Sequence, residues 1–119
     1  MLATTIEQSQ HLLELGLDPK TADMAYVCGA PESLNVVDDY YLKYIHDEYD
    51  TPAWSLSALL EVMPKPDLYR ETADLWVCVT IFKEGSIRGF GETAIEAACD
   101  TITKMFGMGY LKKKGYNNE

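Results

Sequence analysis

Ala73-Asp74-Leu75-Trp76-Val77-Cys78-Val79-Thr80-Ile81-Phe82 carries apolar side chains at odd and even positions alike. Leu75, Val77, Val79 and Ile81 fall on one side of an extended chain, and Trp76, Cys78, Thr80 and Phe82 on the other. A strand apolar on both faces is a central strand, covered from both sides or by a partner. Lys83-Glu84-Gly85-Ser86 then has turn chemistry, and Ile87-Arg88-Gly89-Phe90 returns as the second strand of a hairpin.

The rest of the chain is arranged around that hairpin. Downstream, Thr93-x-x-Glu96 has the spacing of a capping box and opens a helix over about 94–106. Its apolar stripe is Ile95, Ala98, Cys99, Ile102, Met105 and Phe106, and Gly107 and Gly109 stop it. Tyr110 and Leu111 then pack back on the core. Upstream, Thr51-Pro52 suits a cap followed by proline at the first helical position. A helix over about 52–63 follows, with Trp54, Leu56, Leu59, Leu60 and Met63 inward, ended by Pro64 and Pro66. Thr5 opens a first helix over about 5–15, with Gly16 just past its end. Met24–Cys28 and Leu34–Val37 read as short strands. The expected fold is α+β: a small antiparallel sheet centred on a hairpin at about 73–90, packed by helices 5–15, 52–63 and 94–106. One domain is expected over 1–111, followed by a polar tail over 112–119.

Composition excludes several function classes. The 119 residues include 19 acidic and 10 basic side chains, a net charge of −9. That opposes a non-specific grip on nucleic-acid backbone, which needs clustered Lys and Arg, and opposes an anionic membrane surface. No apolar run reaches the roughly 18 residues of a spanning helix, and the start lacks signal-peptide character. Cys28, Cys78 and Cys99 are odd in number and widely spaced, with no Cys-x-x-Cys, so neither a zinc site nor a disulfide framework is expected. A reducing, cytoplasmic setting and no cofactor follow from this reading.

The densest polar cluster lies between Asp38 and Asp50, where Tyr40, Tyr41, Tyr44 and Tyr49 stand among Asp38, Asp39, Asp47, Glu48 and Asp50. These tyrosines cannot all be buried beside so many carboxylates, and exposed tyrosine is a frequent interface anchor. Tyr40, Tyr41, Tyr44, Asp47, Glu48, Tyr49 and Asp50 are therefore the candidate contact residues for a protein partner, a basic one by charge. His46-Asp47-Glu48-x-Asp50 lacks the glycine and terminal glutamate of a calcium loop, so no metal is expected there. His11 reads as a helix-surface histidine, and no Gly-x-Ser-x-Gly elbow is present. Gly89-Phe90-Gly91-Glu92-Thr93 leads into a helix start, but Glu92 and Glu96 would repel a phosphate. A strand-to-helix turn requiring small residues is the simpler reading. The function expected is non-enzymatic protein–protein interaction. A small-ligand binder or hydrolase using the cluster at 46–50 is the alternative, and an antitoxin-like regulator the third. The strand apolar on both faces also makes a homo-oligomer an expected state.

Two stretches add a resemblance. Thr51-Pro52-Ala53-Trp54-Ser55-Leu56-Ser57-Ala58-Leu59-Leu60-Glu61-Val62-Met63-Pro64, and Glu92-Thr93-Ala94-Ile95-Glu96-Ala97-Ala98 with Gly109-Tyr110-Leu111, go together with Leu15-Gly16-Leu17-Asp18-Pro19 and Thr21-Ala22-Asp23-Met24. Together they resemble a family of short uncharacterised proteins of phages and mobile elements of gut Bacteroidetes. The resemblance implies an accessory protein in a bacterial cytoplasm and transfers no catalytic residues. Gly89 to Met105 is also similar in layout to the end of double-stranded-RNA-binding domains and of HicB-type antitoxins. Glu92 and Glu96 stand where RNA binding would want lysines.

Overall fold

The computed structural model describes residues 3–27, 30–36 and 50–111. Its described elements are α1 (Ile6–Leu15), β1 (Met24–Tyr26), β2 (Leu34–Val36), β3 (Thr51–Ala53), α2 (Leu56–Glu61), β4 (Pro66–Thr72), β5 (Leu75–Phe82), β6 (Gly85–Gly91) and α3 (Ala94–Gly107), with 3₁₀ turns at Pro19–Thr21 and Pro31–Ser33. The class is α+β, with three helices and two three-stranded antiparallel sheets among the described residues, ordered β2-β1-β3 and β4-β5-β6.

The hairpin forms where expected, and β5 is the central strand of its sheet. Its core face carries Cys78 and Thr80, both fully buried, with Trp76 and Phe82 partly buried. α3 lies across this face and β6. The close approach depends on glycine: a Cβ on Gly89 would overlap Thr101 and Ala97, and one on Gly91 would overlap Glu96 and Ala97. Ile95, Ala97, Ala98, Thr101, Ile102 and Met105 are buried beneath α3. Leu12, Trp54, Leu59 and Met63 complete the main core. Burying each large apolar side chain contributes roughly 1.5–3 kcal/mol. Tyr110 returns to stack on Phe82, ring centroids 4.0 Å apart, and Leu111 packs on the core.

Two expectations are corrected. The helix expected over 52–63 is α2, Leu56–Glu61, and Thr51–Ala53 is instead strand β3. Asp23 decides this. Its Oδ1 accepts the Ser55 amide at 2.8 Å and its Oδ2 accepts the Ser55 hydroxyl at 2.5 Å. Ser55 is held extended and becomes the N-cap, its Oγ accepting the Ala58 amide at 3.2 Å. Trp54 is therefore buried from an extended backbone. Its amide donates to Thr4 Oγ1 (3.1 Å), its carbonyl accepts the Thr4 amide (2.9 Å), and its indole N–H donates to Thr21 Oγ1 (2.8 Å). Second, the single expected sheet is two. Residues 66–72, where the sequence reading places no element beyond Pro66 as a helix terminator, form edge strand β4 paired to β5, and β1, β2 and β3 form the other sheet.

α1 begins at Ile6 under a complete Thr5–Gln8 capping box and ends at Gly16 in the left-handed region, φ 110°. No described helix is long and apolar enough to cross a membrane.

Candidate functional site

Cross-strand register places Tyr69, Val77 and Phe90 side by side, and Asp67, Val79 and Arg88 in the next row. Residues directly opposite in antiparallel strands point to the same face. These rows, with Leu75 and Ile81, therefore make up the sheet face turned away from α3. Among the described elements α3 is the helix that packs extensively on this sheet, and it lies on the other face; Val77 and Val79, at the centre of the face turned away from it, are nevertheless buried, 0% and 9% exposed. Tyr69, Ile81 and Phe90 remain 37%, 47% and 46% exposed, an unusual grouping of large apolar side chains.

The face is flanked by opposite charges. Asp67 on β4 and Arg88 on β6 stand on either side of Val79, two strand spacings or roughly 10 Å apart. Among the described residues neither side chain joins an ion pair, while Lys104 and Asp100 pair at 3.1 Å. Lys104 Nζ also lies 5.0 Å from the centre of the Phe90 ring, a cation–π contact at the β6 side.

The features singled out in the sequence fall as follows. Of the candidate contact residues, Tyr40, Tyr41, Tyr44, Asp47, Glu48 and Tyr49 lie outside the described residues, and Asp50 is partly buried immediately before β3. His46 and Cys28 are likewise outside them. His11 is exposed on α1, its Nε2 3.4 Å from Thr103 Oγ1. At the start of α3, Thr93 accepts the Glu96 amide at 3.1 Å, while Glu96 Oε1 accepts the Glu92 amide at 2.9 Å. The helix terminus is thus occupied by its own carboxylate, and Gly89 and Gly91 serve close packing.

Burial raises the Cys78 thiol above its ordinary pKa. The Thr101 hydrogen bond opposes that shift and the Asp67 carboxylate adds to it. Cys99 is pushed up to about 12, mainly by burial and further by Glu96 and Asp100. Both are protonated at neutral pH, the opposite of an activated nucleophile. Among the described residues, no group of three His, Cys, Asp or Glu side chains could hold a metal. A cavity of about 280 Å³ opens between Thr5, Ile6, Glu7, Tyr26 and Pro31. Among its described lining residues Glu7 is the one carboxylate, and the Tyr26 hydroxyl is already donated to the Thr4 carbonyl at 2.7 Å. Ser55 and Asp23 resemble two members of a triad, but their bonds are spent on holding the start of α2.

Reading the sequence misses Asp67 and Tyr69 as surface residues, because β4 itself is missed. The available signal was the short Thr72-Ala73-Asp74-Leu75 connection, which joins two paired strands. Comparisons with protein-family models, with curated proteins and with solved structures find no match to this chain.

Proposed function

We propose that this protein is a non-enzymatic interaction module whose contact surface is the face of the β4-β5-β6 sheet turned away from α3. One observation carries the reading: Tyr69, Ile81 and Phe90 are exposed together on that face. Exposed aromatic and aliphatic side chains with a charged rim have the composition of a protein-binding surface. The acidic, tyrosine-bearing stretch at 40–50 is a second contact surface on sequence grounds, suited to a basic partner. The resemblance to short proteins of phages and mobile elements fits an accessory role of this kind in a bacterial cytoplasm.

The test is comparative affinity capture and cross-linking of the full chain against bacterial lysate and against itself. The wild type is set beside a variant carrying Tyr69→Ser, Ile81→Ser and Phe90→Ser. A contact made by the wild type and lost in the variant, with the circular dichroism spectrum unchanged, supports the reading. Identical profiles for the two proteins overturn it.

A further inference from the structure

Among the described residues β6 pairs with β5 alone, so its outer edge has no strand beside it. Along an antiparallel strand, each residue turns its N–H and C=O to one side, and successive residues alternate. Arg88 and Phe90 turn theirs away from β5, and α3 meets them there. The Phe90 amide donates to Asp100 Oδ2 at 2.9 Å, and the Arg88 carbonyl accepts from Lys104 Nζ at 2.9 Å. Asp100 Oδ2 and Lys104 Nζ are themselves 3.1 Å apart. The Lys104 ammonium also lies 5.0 Å from the centre of the Phe90 ring.

These four groups reproduce a strand contact. A residue of a parallel strand laid beside Gly89 would donate its N–H to the Arg88 carbonyl and accept the Phe90 N–H on its own carbonyl. Lys104 supplies that donor and Asp100 that acceptor, so one ion pair on α3 stands in for one residue of a neighbouring strand. An antiparallel newcomer needs the same two groups. The reach depends on the close seat of α3 on β6, which Gly89 permits because a Cβ there would overlap Thr101 and Ala97.

We infer that Asp100 and Lys104 form an edge guard, which occupies the pairing groups of β6 and keeps a second copy of the chain from adding its own β6 there. The opposite edge of the sheet is closed by other means. On β4, Pro66 has no N–H, the Leu68 amide is taken by the Asp67 carboxylate at 3.0 Å, and the register shifts between Arg70 and Thr72. The β6 edge is thus the one whose closure rests on removable side chains. The guard acts independently of any contact made by the sheet face. Asp100 and Lys104 are well exposed, and an exposed i,i+4 pair adds little stability, so its removal frees the edge and leaves the fold intact.

The experiment compares the full-length wild type, Asp100→Ala/Lys104→Ala, and that double variant with Arg88→Pro added. Amide hydrogen exchange is read at low concentration and sedimentation velocity over a wide concentration range, with thermal unfolding as the control for folding. The double variant loses one charge of each sign and keeps the net charge of −9, so general repulsion between chains is unaltered. Arg88→Pro removes an outward N–H and no bond to β5, a strand position that accepts proline. The Phe90 amide is expected to exchange about tenfold faster in the double variant than in the wild type. Its monomer–dimer transition is expected to shift to lower concentration, and Arg88→Pro to reverse that shift. Equal exchange of the Phe90 amide in the two proteins overturns the cap. Faster exchange with no gain in association overturns the guard, as does a gain in association that survives Arg88→Pro.

Discussion

Thr101 stands where a side chain on Gly89 would have to go. Its hydroxyl is shared between the Ala97 carbonyl on its own helix (2.9 Å) and the Cys78 carbonyl on β5 (3.1 Å). The contact joins α3 to the sheet with no intervening layer. Gly89→Ala drives a methyl group into Thr101 and into the Ala97 backbone, which cannot swing aside. The expected loss is about 3 kcal/mol, at the upper end for overpacking, read as a lower urea midpoint. Gly107→Ala, at the end of the same helix with open space around it, is expected to stabilise by about 0.5 kcal/mol. Equal effects at the two glycines would refute the steric account.

Trp54 is buried with every polar group paired. Thr21→Val keeps the shape of the side chain but leaves the indole N–H without its acceptor. Thr4→Val removes the acceptor for the Trp54 amide and the partner of the Ser9 hydroxyl, 2.7 Å away and itself buried. Each is expected to cost about 2 kcal/mol, the range for orphaning a buried polar group. Chemical denaturation followed by Trp fluorescence measures both, and neutral substitutions would show that these bonds do not hold the residue.

Ser55→Ala removes the cap of α2 and the hydroxyl partner of Asp23 together. A six-residue helix has no stability of its own, so the loss is transmitted to Trp54 and Leu59. The expected cost is about 2 kcal/mol. Ser55→Thr preserves both bonds and recovers most of it. Failure of threonine to rescue would place the effect in packing.

Cys99 imposes a pH dependence. Its thiol is raised from 9.0 to about 12 in the folded chain by burial, with Glu96 and Asp100 adding to the shift. Between those values the folded protein keeps a proton that the unfolded chain has released, so stability falls as pH rises. The contribution is intact below pH 9 and lost progressively towards 12. The wild-type denaturation midpoint is expected to fall more steeply over that window than that of Cys99→Ala. Parallel curves for the two proteins would contradict the assignment, and tyrosine ionisation cancels in the comparison.

The central strand and the long helix were legible because their patterns are redundant. β5 is apolar on both faces, and α3 combines a capping box with an unbroken stripe. β4 was hidden because an edge strand needs no apolar alternation. Asp67, Arg70, Glu71 and Thr72 supply no apolar alternation after the two prolines. The misplaced helix start at Thr51 has a different cause. Trp54 fits the helical spacing of Leu56, Leu59 and Met63, but it is buried through bonds to Thr4 and Thr21, fifty and thirty-three residues away. Local periodicity cannot register such partners. The apolar character of the face turned away from α3 was visible in Leu75, Val77, Val79 and Ile81; its charged flanks depended on register, which only pairing with β4 and β6 defines.

The clasp between Thr4 and Trp54 also bears on the order in which the molecule is made. β4, β5, β6 and α3 follow one another in the chain through short connections, so their contacts close small loops and form quickly. The sheet containing β1 and β3 closes over a longer separation, and α1 leans on α3, where His11 and Thr103 meet 92 residues apart in the chain. The half synthesised first is thus the half completed last. Until α3 has formed, the amphipathic α1 has its contacts with β3 but lacks those with α3, so its apolar side stays incompletely covered.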